Sequence, residues 1–370
     1  MTARPPEPTT TARGPEIAAR VGIPLGAALL VCFVTGLLSH WIQHPPDWFW
    51  WPARPVWLYR LTQGAHVISG VAAIPLLLVK LWAVYPRLFQ RPVLGSPPRI
   101  AERASIALLV GAVLFQLATG LVNIAQYYPW KFFFPAAHHA MAYVAIGALA
   151  VHLAVKLPVI RAALGRPVDS PPETGVSRRA VLTAAWVSSA VAVLTMAGQT
   201  VPFLRWAAVL APRSGEGPQG VPINRTAAAA GVADRARDPA YRLVVVAGGR
   251  TREFSRADLA ALPQTSADLP IACVEGWSAS ARWTGVRLRD LVAAVGAQTG
   301  EVRCESLETA GLYRVSVLPE PHVRAPDTLI ALALNGETLD LDHGYPCRLI
   351  APSRPGVLQT KWLSRIEVLP

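Results

Sequence analysis

The sequence predicts a multidomain protein: an α-helical membrane bundle of five spans, followed by an α+β domain over residues 223–370. The bundle is predicted by composition, because 52% of the 370 residues are hydrophobic and the mean hydropathy is +0.34, too apolar for an ordinary soluble chain. That excess lies before Leu210. The α+β domain is predicted by the motifs from Tyr241 to Val368 described below.

The elements follow in order. Residues 1–20 form a cytoplasmic tail, and the repeated Thr, Pro and Arg of Met1 to Glu16 predict disorder. Residues 21–160 hold four spans, Val21 to Gln43, Gly64 to Tyr85, Ala104 to Gln126 and Ala137 to Leu157. Residues 161–210 hold a fifth, Ala180 to Phe203. Each approaches the roughly 20 residues that a helix needs to cross about 30 Å of hydrocarbon. None reads as a cleavable signal peptide, since a further span follows each of the first four and a Pro/Gly-rich stretch follows the fifth. That stretch, Ala211 to Val221, is read as a linker over 211–222.

Charge orients the bundle. The cations cluster in Arg4 to Arg20, Lys80 to Arg103 and Lys156 to Arg179, whereas the alternate loops hold only Arg54, Arg60 and Lys131. By the positive-inside rule the N-terminus is cytoplasmic, and an odd number of spans puts residues 223–370 outside the membrane. The net charge of +12 then reports topology. No aromatic residues interleave with the cations as in a nucleic-acid-binding motif, so no nucleic-acid partner is expected.

Two segments carry the chemistry. Cys273 sits in the run Ala272-Cys273-Val274-Glu275-Gly276-Trp277-Ser278, and the chain reads HGYPCRLIAPSRPGVLQTKWLSRIEV from His343 to Val368. A cysteine is a soft thiolate ligand once deprotonated, and His343, Arg348 and Lys361 supply donors and cations suited to a phosphate-bearing cofactor. Taken singly, a cysteine in an apolar run is more often a small buried hydrophobe.

Together the segments resemble the oxidoreductase molybdopterin-binding domain of sulfite oxidases, plant-type nitrate reductases and periplasmic methionine sulfoxide reductase catalytic subunits. The stretch from Tyr241 follows that family's order: a strand, a short helix in Ser255-Arg256-Ala257-Asp258-Leu259, the cysteine turn, Trp283-Thr284-Gly285-Val286, and a helix from Leu288 to Val295. The resemblance implies a molybdenum-molybdopterin cofactor, with Cys273 as metal ligand and catalytic residue, and with His343, Arg348 and Lys361 gripping the pterin and its phosphate. Asn224, Ser306, Gln359 and Thr360 fall on further pterin-contacting positions. Asn224-Arg225-Thr226 also reads as a helix N-cap.

The activity implied is oxygen-atom transfer on a small oxo-donor or oxo-acceptor outside the membrane. Sulfite oxidases place an arginine five residues after the metal cysteine, where this chain has Ser278. A sulfoxide-reductase-like activity is therefore expected, with Trp277 and Trp283 lining an apolar approach. The alternatives are a sulfite-oxidase-like enzyme and a cofactor-free extracytoplasmic binding module on the same fold. The chain ends at Pro370, so the C-terminal dimerisation domain of sulfite oxidases is not expected.

Histidines are costly in lipid unless partnered. His66 lies at the outer end of the second span, His138 and His139 at the outer end of the fourth, and His152 fourteen residues beyond His138 on nearly the same face. This resembles the four-helix haem b subunits of membrane hydrogenases and formate dehydrogenases. The likeness implies a haem b held by His66 and His138, with His139 or His152 as alternatives, exchanging electrons with the quinone pool. The competing reading is an interfacial belt beside Trp41, Trp48, Trp50, Trp51 and Trp57.

Ser177-Arg178-Arg179-Ala180 before the fifth span resembles a twin-arginine export signal. It implies that the twin-arginine machinery carries the folded outer domain across, after the general export machinery has inserted the first four spans into the bilayer. Cys304 and Cys347 are expected as two buried thiols, with a disulfide between them as the alternative.

Overall fold

The computed structural model describes residues 12–88, 96–168, 176–211 and 217–370. Residues 1–11 of the expected tail and 212–216 of the expected linker lie outside these. The chain forms two compact units, residues 1–37 with 65–197 and residues 38–64 with 198–370. Each is described by itself.

The first unit is helical. Its helices are α1 (Pro15–Gln43), α2 (Leu58–Leu88), α3 (Pro97–Ile124), α4 (Phe134–Leu164) and α5 (Arg178–Ala197). All five are long and apolar enough to cross a membrane. Large apolar side chains are exposed on every one of them, such as Ile23, Leu78, Leu108, Val151 and Val187, a pattern that suits a lipid-facing surface. Ile17, Val21 and Leu25 of α1 meet Leu76 and Leu77 of α2, Val113 of α3 and Ala185 of α5 in a thin core. At the ends predicted to be cytoplasmic, Glu16 is ion-paired to Arg166 at 3.2 Å and Arg178 at 3.8 Å.

The fifth helix stops at Ala197, short of the expected Phe203. At Gly198 the chain folds back so tightly that a Cβ would lie 2.5 Å from the Arg205 Cα and 2.4 Å from the Ala208 Cβ. A 3-10 turn over Pro202–Ala207 follows.

The second unit holds two sheets. Its strands are β1 (Leu243–Ala247), β2 (Arg250–Phe254), β3 (Thr265–Ala272), β4 (Ser278–Arg287), β5 (Val302–Ser306), β6 (Val315–Leu318), β7 (Leu329–Leu334), β8 (Glu337–Thr338), β9 (Arg348–Ile350) and β10 (Leu363–Val368). One sheet has the order β2-β1-β10-β5-β6. The other has β3-β4-β7-β8, with β9 also paired to β7. Pairing is antiparallel except between β1 and β10. Four short helices, α6 (Ala233–Arg237), α7 (Arg256–Ala261), α8 (Leu288–Ala294) and α9 (Glu320–Arg324), complete this α+β unit.

The local rules are visible in the strands and caps. β1 alternates buried and half-buried residues, as a strand with one face on a core must. Gly248 and Gly249, both with positive φ, make the two-residue turn to β2. Ser255 and Asp258 form a reciprocal capping box at the start of α7. The register of β4 against β7 shifts at Gly285, where a Cβ would lie 2.1 Å from the Ile330 carbonyl oxygen. Only glycine fits there.

Residues 38–64, which comprise the end of α1, the start of α2 and the segment joining them, belong to this second unit. Ile42 and Tyr59 pack with Ala272 and Leu358, Trp51 Nε1 donates to the Ser353 carbonyl at 2.8 Å, and Arg54 is ion-paired to Asp327 at 2.9 Å.

Candidate functional site

Cys273 sits at the tip of the β3–β4 hairpin, between Ala272 and the paired Ser278. The turn is closed by its own backbone: Cys273 N donates to the Trp277 carbonyl at 2.9 Å and Gly276 N to the Cys273 carbonyl at 3.0 Å. The φ of 96° at Gly276 permits the closure. A parallel bridge sets Pro355 beside Ala272.

A second group forms around β9. His343 ends a 3-10 turn, and Gly344 follows at φ 111° with its Cα facing Arg348 and Lys361. His343 Nε2 is 2.7 Å from the Pro218 carbonyl, which can only accept, so Nε2 carries the proton and Nδ1 is the acceptor. The Arg348 guanidinium, only 3% exposed, donates to the carbonyls of His343 at 3.0 Å and Gln359 at 3.1 Å. It also lies 5.0 Å over the Trp283 ring. Lys361 Nζ donates to the carbonyls of Arg225 at 2.5 Å and Asp342 at 3.0 Å.

Both groups line one cleft enclosing about 700 Å³, part of it open to solvent. Its walls include Asn224, Cys273, His343, Arg348, Gln359, Thr360 and Lys361. Among the expected cofactor-binding residues of this unit Ser306 stands off the wall, its hydroxyl donating to the Lys361 carbonyl at 2.9 Å. The side chains of Gln359 and Thr360 are occupied internally. Gln359 brackets Ala351 with two bonds of 2.7 and 2.8 Å, and the Thr360 hydroxyl lies 2.6 Å from that of Ser316. The helix N-cap expected at Asn224 is not formed, since residues 227–231 make a turn, closed by Ala229 N donating to the Thr226 hydroxyl at 3.1 Å.

Sequence reasoning missed Arg225, Glu308 and Tyr313, which also line the cleft. Arg225 and Glu308 are ion-paired at 2.8 Å. Tyr313 lies between β5 and β6 with no surrounding motif, and only its folded position reveals it. Trp277 lines the cleft, but Trp283 is fully buried under Arg348 and belongs to the core, not to an approach. Ser278 is off the wall too, its backbone N donating to the Gln199 carbonyl at 2.7 Å. Cys304 and Cys347 are buried and unbridged, with the Cys347 sulfur 3.2 Å from the Tyr241 hydroxyl.

The cleft holds buried positive charge. Burial pushes Arg348 down to about 9. Burial and then the Arg348 charge push Lys361 down to about 7, against the opposing pull of Asp342 and Glu308. Burial followed by Arg348 lowers His343 to about 4. An anion in the cleft would reverse these shifts, because an opposite charge favours the protonated forms. A phosphate-bearing group therefore fits this wall, and Cys273 lines the same cleft. Among the described residues no cluster of His, Cys, Asp and Glu would hold a metal by itself, so a metal here would depend on Cys273 together with ligands from such a group.

In the helical unit, His66 of α2 and His138 of α4 stand with ring centroids 6.4 Å apart. His66 Nδ1 lies 2.9 Å from the Cys32 carbonyl and 3.2 Å from the Thr35 hydroxyl. His138 Nδ1 lies 2.9 Å from the Thr119 hydroxyl. His139 instead packs edge-on against Tyr143 at 5.1 Å. His152 is half-buried further along α4.

Residues 229–370 match the family described as oxidoreductase molybdopterin binding domain. Human mitochondrial sulfite oxidase is 31% identical over 162 residues, covering 35% of this chain and 29% of that protein. A putative protein-methionine-sulfoxide reductase subunit YedZ1 of Azospira oryzae is 31% identical over 111 residues, covering 30% of this chain and 42% of that protein. The chain thus spans less than half the length of either relative. The structure of the sulfane dehydrogenase SoxCD from Paracoccus pantotrophus is 24% identical, with a TM-score of 0.32, over 35% of this chain and 38% of that one.

Lys361 predicts a pH dependence. The unfolded chain keeps an ordinary lysine protonated to about 10.5, while the folded cofactor-free site releases the proton at about 7. Between these values the unfolded state binds more protons, so stability rises with pH across that window. Lys361→Met should flatten the rise. Thermal unfolding of both proteins at pH 7 and pH 9 checks it, and an unchanged pH slope in the variant would contradict the assignment.

Proposed function

We propose that the chain, whose residues 229–370 match the oxidoreductase molybdopterin binding domain, is a membrane-anchored molybdenum enzyme performing oxygen-atom transfer outside the membrane. The observation that carries this reading is the single cleft joining Cys273 to the buried cations Arg348 and Lys361. When bound, the molybdenum-molybdopterin group supplies the two-electron exchange of an oxygen atom. His343, Arg348 and Lys361 would hold its phosphate-bearing part, and Cys273 would ligate the metal.

The chain's own groups shape the rest of the site. Burial and then the neighbouring Cys273 raise the Tyr313 phenol above its usual value, so at neutral pH it keeps its proton and can donate to an oxygen on the substrate. Ile271, Trp277 and Val357 give the wall around Cys273 an apolar character. The Arg225 charge is matched by Glu308. A neutral sulfoxide suits such a wall better than sulfite, whose charge would need fixed compensation. Metal analysis should find about one molybdenum per chain in a host that makes the cofactor. The reduced protein should deoxygenate methionine sulfoxide, and Cys273→Ser should lower that activity by roughly 100-fold or more, since even partners behind a metal ligand are worth 10- to 100-fold. Absence of molybdenum would leave the binding-module reading, and fast sulfite oxidation without sulfoxide reduction the sulfite-oxidase-like one.

We further propose that the helical unit carries a haem b between His66 and His138 and passes electrons between the outer site and quinone. His66 and His138, whose ring centroids lie 6.4 Å apart, would hold its iron, and the haem would supply one-electron transfer. The Nδ1 contacts on both rings leave Nε2 to ligate, the usual arrangement for a histidine ligand. Sharp bands should therefore appear in the spectrum of the reduced protein, vanish in His138→Leu and persist in His139→Leu. Bands lost only in the second variant would reassign the ligand.

The twin arginines Arg178 and Arg179 open α5, and we propose that they direct the folded outer domain through the twin-arginine route. With both replaced by lysine, the domain should stay inside and resist protease added to right-side-out vesicles. Normal digestion would leave the pair as a plain charge anchor.

A further inference from the structure

The cysteine turn is held from outside its own hairpin. Gln63 Nε2, in the first turns of α2, donates to the Val274 carbonyl at 3.2 Å. Thr200, just beyond α5, donates through its hydroxyl to the Gly276 carbonyl at 2.8 Å. The Thr200 carbonyl in turn accepts from the Ser278 hydroxyl at 3.1 Å, and the Gln199 carbonyl accepts from Ser278 N at 2.7 Å. All of these residues belong to the second compact unit, and Gln63, Gln199, Thr200 and Ser278 are buried.

The turn's own closure leaves the carbonyls of Val274 and Gly276 pointing out of it. A buried carbonyl without a donor is costly, so the turn keeps this shape only while donors meet it. The two side chains that do so, Gln63 and Thr200, come from segments remote in sequence, 210 or more and about 75 residues before the cysteine turn (Gln63 to Val274 and Thr200 to Gly276 are 211 and 76 residues apart). Neither residue lines the cleft. Their effect on the site therefore runs through the turn.

We propose that Gln63 and Thr200 are positioning residues: together they clamp the Cys273 turn and aim its sulfur into the cleft, so that the site is incomplete without the segments that adjoin α2 and α5. The functional weight of the clamp rests on the reading of Cys273 as metal ligand. A ligand sulfur must be held within about 0.5 Å of its working position, and the turn's internal backbone bonds fix its closure. Fusing the outer domain to the helices in one chain then has a structural consequence. The linking segments are parts of the site.

The test uses the full chain in detergent, purified from a host that cannot make molybdopterin. Iodoacetamide labelling is followed thiol by thiol through mass spectrometry of the peptides. In the double variant Gln63→Leu, Thr200→Val, Cys273 should be alkylated about tenfold faster, the factor that about 1.4 kcal/mol of lost hydrogen bonding represents. Cys304 and Cys347, buried elsewhere in the unit, should keep their parental rates. Thr200→Ser, which retains the hydroxyl, should behave like the parent. An unchanged Cys273 rate overturns the proposal. If the double variant exposes all three thiols, the single Thr200→Val is read by the same criterion, and an equal rise at all three there also overturns it. No metal is bound in this experiment, so its outcome is independent of whether Cys273 ligates molybdenum, which metal analysis of the loaded enzyme decides.

Discussion

The second unit is organised around a buried guanidinium. Arg348 sits on the short strand β9 with almost no solvent contact, and a charge removed from water must be compensated by hydrogen bonds or an opposite charge. Here the carbonyls of His343 and Gln359 and the face of Trp283 surround it. Those contacts tie the 3-10 turn, the segment before β10 and the core of the second sheet to one another. They bring partial negative charge but no full anion, which is why burial alone lowers Arg348 so far. A phosphate would complete the site electrostatically. Lys361, held by the carbonyls of Arg225 and Asp342, repeats the arrangement next to it.

The cysteine turn is the second constraint, and it is of a different kind. A five-residue loop at a hairpin tip has too few internal bonds to determine its own shape, so its geometry is imposed by neighbours. Pro355 and Gly356 approach from one direction, with Gly356 so close that a Cβ would lie 3.3 Å from the Ala272 carbonyl oxygen. Gln63, Gln199 and Thr200 meet it from others. Tyr59 and Ile42 add apolar packing against Ala272. The turn is thus determined by parts of the chain that do not belong to its sheet.

In the helical unit the constraint is the absence of water around polar groups. Polar side chains there satisfy themselves locally, as Thr119 does by donating to the Phe115 carbonyl at 2.6 Å while its oxygen stays near His138. Gly36 removes a Cβ that would lie 3.1 Å from the His66 ring, and so makes room for it. Small residues and hydroxyl groups placed beside histidines, and not a large apolar core, distinguish this bundle.

Hydropathy and spacing are local properties, and what they encode was legible in the sequence. The five apolar helices could be read from neighbouring residues, while the helix after Ser255, the helix from Leu288 and the α+β character of residues 223–370 followed from the family resemblance those residues carry. The candidates Cys273, His343, Arg348 and Lys361 could be read too, because they lie in two short runs with distinctive chemistry. The cleft itself could not be read that way. Arg225, Glu308 and Tyr313 reach it from loops without a motif, and Trp283 was given a role by position along the chain that its burial revises. The end of α5 also escaped the sequence, since hydropathy continues past Ala197 and only the close approach of residues 204–208 makes Gly198 a stop. Above all, no pattern along the chain joins Gln63 or Thr200 to Cys273. That contact depends on hydrogen bonds between segments far apart in sequence, which come into existence only when the tertiary structure brings a donor to a carbonyl already cut off from water.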